Sequence, residues 1–398
     1  MFKKFLALII ALILSTGVFM AVYAVPAISE PTQWLEGSGY WDLQLPEGWD
    51  EQDEKIILVY CHGIVDPVPY AQVSLPNDEL AGIPVSSFVL SQGWAYASTS
   101  YEDNGMIAAT AVENVKVLVE HIKTYLPQKG RALPDYWIIA GPSEGGLVTV
   151  LSLERHPELF DGGIAVCGPI GSFYQQLQYN GDFHVLFNYF FGDQGIGDPL
   201  NGVSEEAMYG WSQYPYSLQY SIGAALAAQP SKAAELIKTS KATIDISDPA
   251  AAGRSLMELL RFNVMFTNDI NQLLDGVIFY NKYRFYYGSS NDFLLNRRIQ
   301  RIASSDYFKA RRNLDRLLET TGNINDPLVT IHTTGDHIVP AWHQTLYRAK
   351  VWSKGKALYY TGIPVAEYGH CTISAEDLQK AISIVMFKIK AIELLSGY

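Results

Sequence analysis

Short unbroken apolar runs alternate with stretches in which apolar residues recur every three or four positions. Lys55 to Tyr60, Gly93 to Ser100, Tyr136 to Ala140 and Gly163 to Cys167 are runs of strand length, as expected of strands covered on both faces. Gly39 to Leu45 reads as an earlier strand. After Asn104-Gly105, the residues Ala108, Val112, Val115, Leu118, Val119 and Ile122 form a helical stripe that Leu126-Pro127 ends. Leu147 to Leu153 belongs to a second helix, stopped by Pro157. This rhythm predicts a parallel sheet with crossover helices.

From about Ser172 to Asn325 the pattern becomes helical and rich in Tyr and Phe. Asp248-Pro249 reads as an N-cap followed by proline at the first helical position, and Leu256, Leu259, Leu260 and Val264 continue that helix's apolar stripe. Arg297, Arg298, Arg301, Arg311, Arg312 and Arg316 read as solvated helix faces. The aromatic clusters Phe173 to Phe191 and Tyr280 to Tyr287 suit either the insertion's own core or the wall of a substrate pocket. Strand and helix patterns then resume: Leu328 to Thr333, Trp342 to Val351, Ala357 to Thr361 and Ala375 to Leu395. The expectation is an α/β fold, a mostly parallel sheet flanked by helices. Residues 25–171 and 326–398 would form the main domain, and residues 172–325 a helical, aromatic-rich lid or cap.

Ahead of this, Lys3 and Lys4 precede an apolar stretch from Phe5 to about Val25, with Ala24 at a small-residue cleavage position. Residues 1–24 read as a signal peptide, or otherwise as an N-terminal membrane anchor. Either places the rest of the chain outside the cytoplasm. Charge removes one class of partner: 29 Lys and Arg against 41 Asp and Glu give −12, which disfavours nucleic acid. Cys61, Cys167 and Cys371 are too few for a disulfide scaffold and match no zinc spacing, so no metal is expected.

The chemistry starts at Gly141-Pro142-Ser143-Glu144-Gly145-Gly146, a G-x-S-x-G turn between a strand and a helix. Such a turn holds its serine in a strained conformation at the sheet's edge, before a helix N-terminus that can stabilise an oxyanion. A serine hydroxyl needs a base and an orienting acid, which for this motif follow in the order acid, then histidine. Gly335-Asp336-His337 follows one predicted strand and Gly369-His370-Cys371 another. Ser143, Asp336 and His370 are therefore the candidate catalytic residues, with Glu367 a weaker alternative acid. Among the other histidines, His121 and His156 read as surface residues and His332 as core, while His184 could line a pocket. Cys61-His62-Gly63-Ile64 follows the strand at 55–60 and would complete an oxyanion hole. Its donors would be the backbone N–H groups of Glu144 and of Ile64, or Gly63 beside it. His62 and Gly63 would support that loop.

These segments, in this order, resemble the α/β-hydrolase superfamily, and the stretch Ile331 to Asp336 with Val339-Pro340 and Trp342-His343 resembles secreted esterase-like or prolyl-oligopeptidase-like serine hydrolases. The resemblance implies a Ser–Asp–His mechanism with no cofactor and says little about the substrate, expected to be a small ester or a peptide. The prediction is a secreted serine esterase working through an acyl-enzyme. The alternatives are a peptidase with the same machinery and a non-catalytic ligand-binding protein on a hydrolase scaffold. Glu144, beside the nucleophile, would repel anionic substrates. Cys167 and Cys371 could close a disulfide that tethers the His370 loop, or all three cysteines could remain thiols.

Overall fold

The computed structural model describes residues 28–29, 33–80, 82–211 and 217–396; the expected leader at residues 1–24 lies outside them. Among the described residues the main sheet has nine strands: β1 (Ile28–Ser29), β2 (Gln33–Leu35), β3 (Gly39–Leu45), β4 (Ile56–Tyr60), β5 (Ala95–Thr99), β6 (Tyr136–Pro142), β7 (Gly162–Val166), β8 (Leu328–Gly335) and β9 (Tyr360–Tyr368). Their spatial order is β1-β3-β5-β4-β6-β7-β8-β9, with β2 paired to β3. Pairing is parallel from β5 to β9, and β1, β2 and β3 form an antiparallel edge. This is the α/β fold the sequence predicts, a mostly parallel sheet flanked by helices.

Strand β4 shows why its residues read as one apolar run. Ile57 and Val59 join a core layer that extends into the helical insertion, while Ile56, Leu58 and Tyr60 join a second layer on the opposite face. Successive side chains leave a strand on opposite sides, so a strand covered twice must be apolar throughout. Helices α1 (Val85–Ser91), α2 (Ala108–Gln128) and α3 (Glu144–Arg155) belong to the first half of the sheet. Between β7 and β8 come α4 (Phe173–Phe191), α5 (Glu205–Gly210), α6 (Leu218–Ala228), α7 (Pro230–Ser240), α8 (Pro249–Leu273), α9 (Asp292–Arg298) and α10 (Tyr307–Leu317). The chain closes with α11 (Trp342–Ser353) and α12 (Ala375–Ser396). Among the described residues no helix is long and apolar enough to cross a membrane.

Two local expectations need correction. Ala357 to Tyr359 is a 3-10 turn, and the strand runs from Tyr360 to Tyr368. Gly362 and Pro364 disguised it; proline is tolerated because β9 is the sheet's edge. The arginines are also not uniformly solvated. Arg301 donates hydrogen bonds to the carbonyls of Asn281 and Asn296, and Arg311 lies over the Tyr174 ring at 4.1 Å. The proline–aspartate start of α8 behaves as its chemistry dictates, with the Asp248 carboxylate accepting from the Ala250 and Ala251 N–H groups.

Candidate active site

Strands β4, β6, β8 and β9 all end at the same edge of the sheet, and each hands its chain to a loop carrying one part of the site. At the end of β6 the chain reverses into α3 through Ser143, whose φ of 54° and ψ of −119° lie outside the usual non-glycine regions. The flanking glycines are required by close approach. A Cβ at Gly141 would sit 2.1 Å from the Cys61 carbonyl oxygen, and one at Gly145 would sit 2.0 Å from it. The elbow is thus pressed directly onto the loop that follows β4. Glu144 opens α3, so its N–H lacks an intrahelical acceptor and lies at the positive end of the helix dipole.

His370 lies 227 positions downstream, yet its Nε2 is 2.8 Å from the Ser143 Oγ. Its Nδ1 is 2.7 Å from Asp336 Oδ2. Asp336 is fully buried, and its other oxygen accepts from the Ile338 and Val339 N–H groups, each at 2.9 Å. These bonds fix the carboxylate so that it can orient the imidazole. The His370 loop is fixed in turn: Gly369, at φ 106°, donates to the Gly335 carbonyl, and Thr333 Oγ1 donates to the Gly369 carbonyl at 2.7 Å. Burial alone would press the His370 imidazole's pKa down. The Asp336 carboxylate outweighs this, with smaller contributions from Cys167 and Glu258, and the pKa rises to about 9.

His62 sits below the loop after β4. Its Nδ1 faces the Gly63 carbonyl at 2.7 Å, its Nε2 faces the Ser100 carbonyl at 3.2 Å, and its ring lies against Tyr101. Burial lowers its pKa, which favours the neutral form. It orders the loop that carries Gly63 and Ile64 towards Ser143; Ile64 lines the same cavity as the serine. Glu144 corrects the expectation of like-charge repulsion. Its side chain is buried, accepts from the Ile107 N–H at 2.8 Å, and is pushed by burial up to a pKa of about 8. At neutral pH it is mostly protonated and offers little charge to repel an anion.

The remaining candidates fall elsewhere. Glu367 is exposed on β9. His184 is fully buried inside the insertion, with Nε2 on the Gly197 carbonyl. Phe183 and Phe187 are core, Phe173 reaches the catalytic cavity, and Tyr283, Phe285 and Tyr287 are exposed. Cys61, Cys167 and Cys371 are all free thiols, so the disulfide raised as a possibility is not formed here. Cys167 Sγ lies 3.8 Å from Thr333 Oγ1, and Cys371 Sγ lies 3.6 Å from His370 Nε2. Cys167, His332 and Asp336 bring three potential metal-ligand atoms within 4.8 Å of one another. His332 Nε2 already bonds the Val339 carbonyl at 2.7 Å, and Asp336 is engaged as described.

A cavity of about 460 Å³ opens over Ser143, walled by Ile64, Phe173, Phe262, Ile338 and His370. Two further wall residues escaped the sequence reading: Glu258 and Arg261, both from α8. Glu258 hydrogen-bonds His337, the residue after Asp336, and Arg261 pairs with Asp66, two residues after Ile64. The signal was present as charged residues one turn apart, set among the apolar stripe of that helix.

No protein-family model matches the chain, and no curated protein matches it in sequence. Similar solved structures include the acylaminoacyl peptidase of Pyrococcus horikoshii, at 13% identity and a TM-score of 0.39, covering 94% of this chain and 41% of the other. A rice cell wall degrading esterase from Xanthomonas oryzae is similar at 15% identity and 0.43, covering 89% and 86%. Feruloyl esterase B from Aspergillus oryzae follows at 14% and 0.48, covering 84% and 72%. The chain spans about two-fifths of the peptidase's length.

Proposed function

We propose that this protein is a serine hydrolase that cleaves carboxylic esters through an acyl-enzyme. The observation carrying this reading is the continuous hydrogen-bond chain Ser143 Oγ–His370–Asp336, at 2.8 and 2.7 Å, with the serine on a strained strand-to-helix turn. In the first step Ser143 Oγ attacks the ester carbonyl carbon while His370 Nε2 takes the hydroxyl proton. The carbonyl oxygen becomes an oxyanion, received by the N–H groups of Glu144 and Ile64. The intermediate collapses, breaking the bond to the alcohol oxygen, and His370 returns the proton to that leaving group. Water then repeats the sequence on the acyl-enzyme and releases the acid and free Ser143. Asp336 orients the ring and stabilises the imidazolium.

The helical segment 172–325 serves in this reading as a cap over the site. The basic and apolar leader at residues 1–24 would carry the enzyme out of the cytoplasm. A fluorophosphonate probe should label Ser143 in the folded protein and fail to label Ser143→Ala. A panel of aryl and alkyl esters with proline-containing amides should show turnover of esters, reduced by roughly 10³-fold or more in Ser143→Ala. Preference for the amides would replace the esterase reading with a peptidase. No labelling at all would leave a binding protein on a hydrolase scaffold.

A further inference from the structure

A second cavity lies apart from the one over Ser143. It is an open groove of about 830 Å³ between α6, α7 and α8 of the helical insertion, with exposed Ile246, Pro249 and Ala250 at its mouth. Its walls include Gly223, Leu226, Ala234, Ile237, Gly253 and Met257. Small residues on three facing helices leave space that the neighbouring side chains do not fill. A Cβ built at Gly223 or at Gly253 meets no atom within 4 Å. A space of this size and lining suits an apolar guest; ligand sites commonly enclose about 300–1,000 Å³.

The two cavities share wall residues: Glu258 and Arg261 line both. These are the groups that tie α8 to the catalytic loops, through His337 and Asp66. With their charged ends held by those partners, their aliphatic stems are what the junction can offer a passing chain. Gln219 and Arg254 are the other polar side chains lining the groove. A substrate whose reacting carbonyl sits at Ser143 therefore has a second, apolar compartment next to it.

We propose that this open chamber, which shares Glu258 and Arg261 with the catalytic cavity, receives an extended apolar chain of the substrate, making the enzyme selective for esters of medium- or long-chain aliphatic groups over short ones. This rests on the esterase reading above and names its substrate class. Either side of the ester could supply the chain, as acyl group or as alcohol. Met257, unbranched and flexible, allows chains of different lengths to be accommodated.

The test uses two ester series on the full-length protein. In one, p-nitrophenyl esters run from acetate to dodecanoate; in the other, acetates run from ethyl to dodecyl alcohol. In the series whose chain enters the chamber, kcat/KM should climb with length, by up to roughly fourfold per methylene buried. Gly253→Trp and the milder Gly253→Leu fill the chamber from a helix interior where leaving glycine favours the helix. Each should lower the ratio of kcat/KM for the ten-carbon over the two-carbon substrate at least tenfold in that series. A ratio unchanged by both variants in both series overturns the proposal. If the wild type turns over no ester and Ser143 takes no fluorophosphonate, the esterase reading itself has failed. The chamber is then judged on binding alone, with a fluorescent twelve-carbon fatty acid. Binding to Ser143→Ala that is lost in Ser143→Ala/Gly253→Trp supports an apolar-chain site, and equal affinity for the two overturns it.

Discussion

His337 Nε2 lies 2.6 Å from the carboxylate of Glu258, so the residue beside the site's buried acid is held by a helix of the insertion. This bond keeps the Glu258 carboxyl's pKa below its ordinary range. Its charge also reaches His370 and is one of the contributions that raise that imidazole's pKa. The sign follows: Ser143 needs a neutral His370 as base, so activity should increase with pH as the imidazole loses its proton, up to a pKa of about 9. Replacing Glu258 by Gln removes a negative charge near the ring and lowers that pKa. The rising limb of kcat/KM against pH, measured with a short ester from about pH 5 to pH 10, should move to lower pH in Glu258→Gln. The shift should be modest, since the Glu258 side chain is 56% exposed and its charge is screened. Superimposable profiles would mean that Glu258 has no electrostatic hold on the site.

Much of this arrangement was legible before any coordinates, and the residues show why. The glycines at 141 and 145 are required by approach to the Cys61 carbonyl, so the turn declares itself in local sequence. Asp336 and His370 follow their strands directly, and the motif's chain order was enough to single them out. Glu258 and Arg261 were not legible, because their roles arise from partners 79 and 195 positions away, at His337 and Asp66. The charge state of Glu144 was misread for a related reason. Its position beside the nucleophile was visible, but its burial against the Ile107 N–H depends on how α2 packs. Strand β9 was misplaced because Gly362 and Pro364 argue against a strand unless its edge position is known.

The cysteines give a prediction that chemistry can count. Cys167 and Cys371 both have positive φ, at 48° and 53°, and both are free thiols. The pair divides its proton unequally. Burial opposes ionisation of Cys167, but the Cys371 thiol and the charges of His332 and His370 bring its pKa down to about 6, while burial pushes Cys371 up. Protein unfolded without reductant should therefore yield three reactive thiols on labelling. A yield of one would show that two of the cysteines are joined. In the folded protein Cys371 lines the catalytic cavity, but burial keeps it a neutral thiol, so a small alkylating reagent should modify it far more slowly than in the unfolded chain and inactivate the enzyme only at that slow rate.

Glu144 predicts a dependence of stability on pH. Its carboxyl has an ordinary value of 4.5 and a folded value of about 8, raised by burial. The folded state thus binds a proton more tightly than the unfolded state. The associated stability is present in full below about pH 4.5 and is lost as pH rises towards 8. Glu144→Gln keeps an oxygen for the Ile107 N–H and the backbone N–H at the elbow, and it has no proton to lose. The variant should equal or fall slightly below wild type near pH 5 and exceed it at pH 8 to 9 by on the order of a few kcal/mol. Thermal unfolding across that range checks the crossover; parallel curves would place the Glu144 carboxyl in a better-solvated environment than its burial implies.

The approach of the elbow to the loop after β4 can be tested against a built-in control. A methyl group at Gly145 would meet the Cys61 carbonyl oxygen at 2.0 Å and the His62 carbonyl oxygen at 2.7 Å. Both are backbone atoms of a buried loop, so no side chain can rotate away to make room. Gly145→Ala should cost about 3 kcal/mol or more, with loss of activity as the Ile64 loop is pushed off the serine. Gly253→Ala introduces the same methyl into open space in the second turn of α8 and should instead be neutral or stabilising by up to about 1 kcal/mol. Urea midpoints for the two variants should fall on opposite sides of wild type or, at the least, differ by that margin. If Gly145→Ala is as stable as Gly253→Ala, the elbow does not rest on the Cys61 loop, and the oxyanion site assembled from Ile64 and Glu144 loses its structural basis.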